Sequence, residues 1–274
     1  MSERYSLDDL LYLMRRLRDP QHGCPWDLQQ DFASIVPHTL EEAYEVADAI
    51  AERDFPQLSG ELGDLLFQVV YYAQLGGEGG HFDWDDVVDG ITRKLVRRHP
   101  HVFPDGNLHT PAGTLRIDPD QVKRRWEAIK AEERAEKAGS PVQLSLLDDV
   151  PAALPALSRA QKLQKRASSA GFDWPDAAPV VAKLSEELDE ISEAIAAGDQ
   201  RAVAEEVGDL LFCAVNLARH LKVDAETALR EGNAKFERRF RYIEEQLAEA
   251  GESLDKAGLA RLDQLWDEAK RAGL

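Results

Sequence analysis

The pentapeptide Gly-Asp-Leu-Leu-Phe occupies positions 63–67 and returns unchanged at 208–212. A wider pattern repeats with it. Glu42, Glu45, Glu61 and Asp64 recur as Glu187, Glu190, Glu206 and Asp209, each 145 residues later. Upstream, Arg18, Gly23 and Trp26 match Arg166, Gly171 and Trp174 at an offset of 148; downstream, Lys94, Arg97 and Arg98 match Lys235, Arg238 and Arg239 at 141, and Trp126 and Lys130 match Trp266 and Lys270 at 140. An offset that drifts in small steps, in order along the chain, is what duplication followed by loop trimming leaves. A period this long means two domains of one kind rather than a solenoid, and 274 residues accommodate two. We place the first domain at 1–139, a linker at 140–153 and the second domain at 154–274.

Strand signals are nearly absent and helical ones recur. Ser6 with Asp9 reads as a capping box ahead of Leu7, Leu10, Leu11, Met14 and Leu17, and Asp19-Pro20 ends that helix. A second helix is expected over Thr39 to Arg53, broken by Asp54-Phe55-Pro56, and a third over Leu58 to Leu75. A fourth fits Asp85 to Arg98, followed by a loop over 104–119 and a charged helix over 121–138. The expected fold is all-α, with two tandem four-helix-bundle-like domains.

Residues three apart share a helix face, so Glu42/Glu45 and Glu61/Asp64 are each a carboxylate pair pointing one way. At ~1.5 Å per residue, Glu45 lies roughly 15 Å before the turn at Phe55 and Asp64 roughly 14 Å after it, level with each other in an antiparallel hairpin. Glu187, Glu190, Glu206 and Asp209 can meet in the same way across Gly198-Asp199. Any one such pair is ordinarily a solvated face. The third helix, however, is apolar nearly all round from Leu65 to Ala73, which predicts burial on most sides and little solvent for Glu61 and Asp64. Four clustered carboxylates, kept twice, call for a cation. An all-oxygen donor set suits Mg²⁺, with Mn²⁺ as substitute, and no His stands where a di-iron or zinc site would need it.

A metal held this way can clamp phosphates and activate water. Lys235, Arg238 and Arg239, with Lys94, Arg97 and Arg98, are candidates to clasp phosphate oxygens, although basic residues at a helix C-terminus also simply complement its dipole. Trp266 with Lys270, and Trp126 with Lys130, place a ring and an ammonium on one helix face, where a base could stack or the ring could pack as core. With Lys+Arg 33 against Asp+Glu 51, a net charge of −18 repels a polyphosphate backbone, so a nucleic-acid polymer is not an expected partner. Two cysteines far apart, no signal-like leader and no apolar run near ~20 residues point to a cytoplasmic chain with no membrane segment.

Arg18-Asp19-Pro20-Gln21-His22-Gly23-Cys24-Pro25-Trp26-Asp27, Thr39-Leu40-Glu41-Glu42-Ala43-Tyr44-Glu45 and Gly60-Glu61-Leu62-Gly63-Asp64-Leu65-Leu66-Phe67-Gln68 together resemble the MazG nucleoside triphosphate pyrophosphohydrolases. The second half is similar through Ala160-Gln161-Lys162, Gly171-Phe172-Asp173-Trp174 and Asn233-Ala234-Lys235-Phe236-Glu237-Arg238-Arg239. The resemblance implies an all-α homodimer that splits NTPs and dNTPs into monophosphate and pyrophosphate with Mg²⁺, in nucleotide-pool cleansing or alarmone control. It implies that the eight acids bind metal, those of the second half catalytically, and that Lys235, Arg239 and Trp266 contact nucleotide. The halves differ where Asn233 faces Thr92, so a polar amide is missing from the first copy. The alternative expectation is a nucleotide-sensing or protein-interaction module in which one or both sites bind without turnover.

Overall fold

The computed structural model describes residues 4–109, 118, 121–122, 125–126, 128–130, 132–133, 145–148 and 150–274. Among these the regular elements are helical, and the chain divides into two compact units, Met1–Gly139 and Ser140–Leu274. The first holds α1 (Leu7–Leu17), a 3-10 turn (Asp27–Gln29), α2 (Phe32–Glu52), α3 (Phe55–Glu78) and α4 (Trp84–Arg98). The second holds α5 (Ala156–Ser169), α6 (Ala177–Ala197), α7 (Gln200–His220), α8 (Ala225–Ala250) and α9 (Gly258–Arg271). Described residues between 121 and 133, Trp126 and Lys130 included, are also helical; most of the expected loop over 104–119 and part of the 140–153 linker lie outside the described residues.

Each unit is built on one long antiparallel hairpin, α2–α3 or α6–α7. The turns are two residues long, and both second residues cap the next helix: Asp54 accepts from the Gln57 amide, Asp199 from those of Arg201 and Ala202. The first turn residue is left-handed in both, Gly198 at φ 70° and Arg53 at φ 57°. Glycine takes this conformation without a steric penalty, whereas a residue with a Cβ does not. Arg53→Gly is therefore expected to raise stability by about 0.5–1 kcal/mol, read from urea unfolding midpoints; a drop would show that the arginine side chain is needed at the turn.

Two expectations are corrected. The helix expected to begin at Thr39 begins at Phe32, because Asp31 and Ser34 form a reciprocal capping box there and Pro37 is tolerated inside. Thr39 is thus no cap; its hydroxyl bonds the Ile35 carbonyl and meets the Tyr72 hydroxyl at 3.0 Å. Second, α3 is not buried on most sides within its unit. Leu62, Leu66 and Val69 are 50, 40 and 37% exposed, an i, i+4, i+7 stripe left open among the described residues. Its other face carries the core, where Val70, Tyr71 and Leu75 pack with Met14 and Ile35.

Two ion-paired anchor points tie the segments after the short first helices to the hairpins. In the first unit the Arg18 guanidinium pairs with Glu78 and donates to the Asp27 and Gln30 carbonyls, while lying over the Tyr71 ring. In the second, Asp173 pairs with Arg219 and meets His220 Nε2 at 3.1 Å. The Arg219 hydrogen bond is the main reason the Asp173 carboxyl is held well below the usual carboxylate range.

Candidate metal and nucleotide site

Glu187 and Glu190 stand on α6 and Glu206 on α7, and the hairpin brings one oxygen from each within 4.8 Å of the others. Glu42, Glu45 and Glu61 do the same between α2 and α3. The fourth acids, Asp64 and Asp209, lie beside these triads but outside the 4.8 Å groupings. They are exposed, yet near enough for their charge to be felt. The Glu42 carboxyl is raised by burial and then by Asp64 and Glu61, and Glu206 by burial and then by Glu190, Glu187 and Asp209. Burial and Glu61 raise Glu45 as well.

The two triads are not equivalent. Glu187 is 4% exposed, and its Oε2 is buried without a hydrogen-bond partner; Glu42 and Glu61 are only partly buried and Glu45 is exposed. A buried carboxylate oxygen with nothing to accept from costs several kcal/mol unless a cation meets it. That orphaned oxygen, in an all-oxygen donor set, fits a hard divalent ion. A residue that sequence reasoning passed over sits beside it. Lys183 Nζ lies 2.8 Å from Glu186, 2.9 Å from Glu187 and 3.7 Å from Glu190, and Glu186 and then Glu187 raise its pKa. The local signal was available, since Lys183 is one helical turn before Glu187 on its face. Counting back 145 residues gives His38, which pairs with Glu41 at 3.7 Å and meets the edge of Trp26, making no ion pair with a triad member among the described residues.

Glu187 of the second triad, with Asp209, lines a cavity of about 730 Å³. Its walls also include Lys183, Phe172, Trp174, Phe212, Asn216 and Arg219. The volume lies within the usual span for small-molecule sites, about 300–1,000 Å³.

The basic candidates fall on other helices. Lys235, Asn233 and Arg238 are exposed on α8, and Arg239 donates to the Leu274 carbonyl while its guanidinium lies over Trp266 on α9, 5.3 Å from the ring centroid. Trp266 also packs against Phe236 and against the Ile243, Leu247 and Leu265 core, and Lys270 pairs with Asp267. In the first unit Arg97 and Arg98 both pair with Glu133, holding its carboxyl down at about 2. Arg98 covers Trp126 as Arg239 covers Trp266. Lys94 is exposed, Thr92 partly buried, and both border a separate cavity under residues 100–108. The structure thus gives Arg97, Arg98 and Arg239 packing partners that the spacing alone did not reveal.

The MazG nucleotide pyrophosphohydrolase domain matches the chain twice, over residues 30–103 and 177–243, once in each unit. The chain belongs to the MazG family. A nucleoside triphosphate pyrophosphohydrolase of Escherichia coli (strain K12) is 52% identical over 267 residues, covering 97% of both chains. A Thermotoga maritima protein described as nucleoside triphosphate pyrophosphohydrolase/pyrophosphatase MazG is 41% identical over 263 residues, 96% of this chain and 95% of its own. Bacillus subtilis YabN, an uncharacterized protein, is 46% identical over 94% of this chain but only 50% of its own length. Both MazG matches contain a complete acid set, and the all-α architecture expected from the resemblance is the one observed. Among the described residues, no helix is long and apolar enough to cross a membrane.

Proposed function

We propose that the chain hydrolyses nucleoside triphosphates, ribo and deoxy alike, to the monophosphate and pyrophosphate, and so cleanses the nucleotide pool. The observation that carries this reading is the orphaned oxygen of Glu187, a member of a carboxylate triad that lines a nucleotide-sized cavity; the names of similar proteins support it. Mg²⁺, or Mn²⁺ in its place, held by Glu187, Glu190 and Glu206 with Asp209 alongside, would supply Lewis-acid charge for the phosphates and a more acidic water. Lys183 places an ammonium at the same edge and offsets the triad's repulsion of a polyanion. Lys235 and Arg238, exposed and mobile in charge placement, are available to the phosphate tail. The first unit keeps its acids but carries Thr92 in place of Asn233, which favours binding there with less turnover.

The exposed stripe of Leu62, Leu66 and Val69 on α3 is a face of the kind that an oligomer covers. We read the partner as a second copy of the chain; sedimentation at the monomer mass across the micromolar range would refute this. Activity is tested by incubating the chain with Mg²⁺ and a panel of NTPs and dNTPs and identifying products. Monophosphate with pyrophosphate is expected. Diphosphate with phosphate, or no turnover, would overturn the reading.

Two substitutions separate binding from packing. Lys235→Ala is expected to lower kcat/KM by about tenfold, the worth of one charged hydrogen bond, with an unchanged melting temperature. Arg239→Ala should lower both, because its guanidinium also covers Trp266. Unchanged kinetics in Lys235→Ala would remove it from the site.

A further inference from the structure

Part of the cavity lining is polar, and its polarity is fixed. Asn216 is 5% exposed. Its Oδ1 accepts from Arg219 Nε at 3.0 Å and Arg219 Nη2 at 2.7 Å. Arg219 is in turn locked by Asp173, which also meets His220. A guanidinium only donates, so the amide of Asn216 cannot turn over, and its Nδ2 is left as the group facing away from Arg219. Among the described residues that Nδ2 has no acceptor, in a side chain that lines the cavity. An amide donor on a buried side chain, held in one orientation, without an acceptor among the described residues and bordering open space, is placed to be completed by something that enters.

We propose that this cavity is a nucleobase subsite and that the Asn216 amide, oriented by Arg219, donates to an acceptor on the edge of the base. The inference rests on the pyrophosphohydrolase reading of the triad. A carbonyl oxygen or an unprotonated ring nitrogen is the acceptor chemistry an amide N–H pairs with, and both pyrimidines and purines carry one. Trp174 and Phe212 on the cavity walls offer faces for stacking. With the triphosphate at Lys183 and the acids, the base extends toward Asn216 along the same cavity.

The first unit has no counterpart of this donor. Tyr71 stands 145 residues before Asn216 and is 1% exposed. Its hydroxyl donates to the Asp27 carbonyl at 2.9 Å, and its ring lies under Arg18. The position is filled by an aromatic side chain whose only donor is already used. The nucleobase subsite is therefore a property of the second unit alone.

The test uses the full-length chain. For wild type, Asn216→Asp and the cavity-filling Ala167→Phe, kcat and KM are measured over a panel of NTPs with Mg²⁺, together with inhibition by inorganic pyrophosphate. An aspartate keeps the acceptor for Arg219 but has no donor for the base. Asn216→Asp is expected to raise KM tenfold or more with kcat changed less than threefold, and to leave pyrophosphate inhibition unchanged. An unchanged KM, or pyrophosphate inhibition weakened by the same factor, would overturn the subsite. Should Asn216→Asp fail to fold, Ala167→Phe carries the same expectation and the same refutation. Absence of turnover in wild type would instead refute the parent reading. Calorimetry of nucleoside monophosphates against wild type and Asn216→Asp then decides the subsite by itself, equal binding or none to either protein counting against it.

Discussion

Glu187→Ala is expected to lower kcat on the order of 10³-fold, the scale of removing a group that fixes transition-state charge, while Glu42→Ala leaves most of the activity. Glu187 is the most buried member of either triad, and its Oε2 has no partner among the described residues. Truncating it removes a ligand from the cavity wall and leaves Lys183 to tighten on Glu186 and Glu190. Glu42 is its counterpart in a unit where Tyr71, packed in the core beneath Arg18, stands at the position of Asn216. Asp209→Ala and Asp64→Ala should follow the same order, by smaller margins, because both are exposed at the rim of their triads. The measurement is steady-state kcat for the four single variants at saturating Mg²⁺. Equal losses from both units, or a larger loss from the first, would show that the first unit turns over substrate as well.

Removal of divalent metal should cost the fold about 2.7 kcal/mol per site relative to a concentration 100-fold above the dissociation constant. The acids show why. Glu42, Glu45 and Glu206 are all raised, by burial first and by neighbouring carboxylates after it, so the folded chain holds their protons more tightly than the unfolded chain does. Stability then falls as pH rises through these carboxyls, from the unfolded value near 4.3 upward, and a bound cation relieves the loss. Melts in EDTA should be higher at pH 5 than at pH 7 as far as these groups contribute, and Mg²⁺ should narrow that gap. Indistinguishable melting temperatures with Mg²⁺ and with EDTA at pH 7 would mean that the acids form a solvated face and bind no ion.

The parts of the site that were legible in the sequence are those governed by short spacing. Three-residue separations put each carboxylate pair on one face, and matched distances to the hairpin turn made Glu45 and Asp64 level, which predicted the meeting of α2 with α3 and of α6 with α7. The same spacing could not show that Asp64 and Asp209 stop at the rim, since that depends on the rotation of each helix about its axis. Continuous apolar sequence in α3 suggested burial, but a stripe such as Leu62, Leu66 and Val69 reads the same whether its own unit covers it or another surface does. Asn216 and Arg219 looked like ordinary polar positions on α7. Their meaning comes from Asp173, 46 residues before Arg219 in the chain, and no local pattern encodes that pairing. Arg97 and Arg98 illustrate the converse: a helix-end basic pair, read as phosphate ligands, meets Glu133 across the unit.

Lys183 gives the two descendants of one ancestral hairpin different resting states. The second triad carries its own tethered cation and is partly neutralised before any metal arrives; the first has only His38, which pairs with Glu41 and acts weakly on Glu42. An arriving divalent ion therefore meets a weakly opposed charge cluster in one unit and a competitor in the other. Duplication has left the chain with two grades of metal demand on a single polypeptide, so that binding followed over a wide range of free Mg²⁺ should resolve into two separate steps, with the ammonium-guarded site filling last.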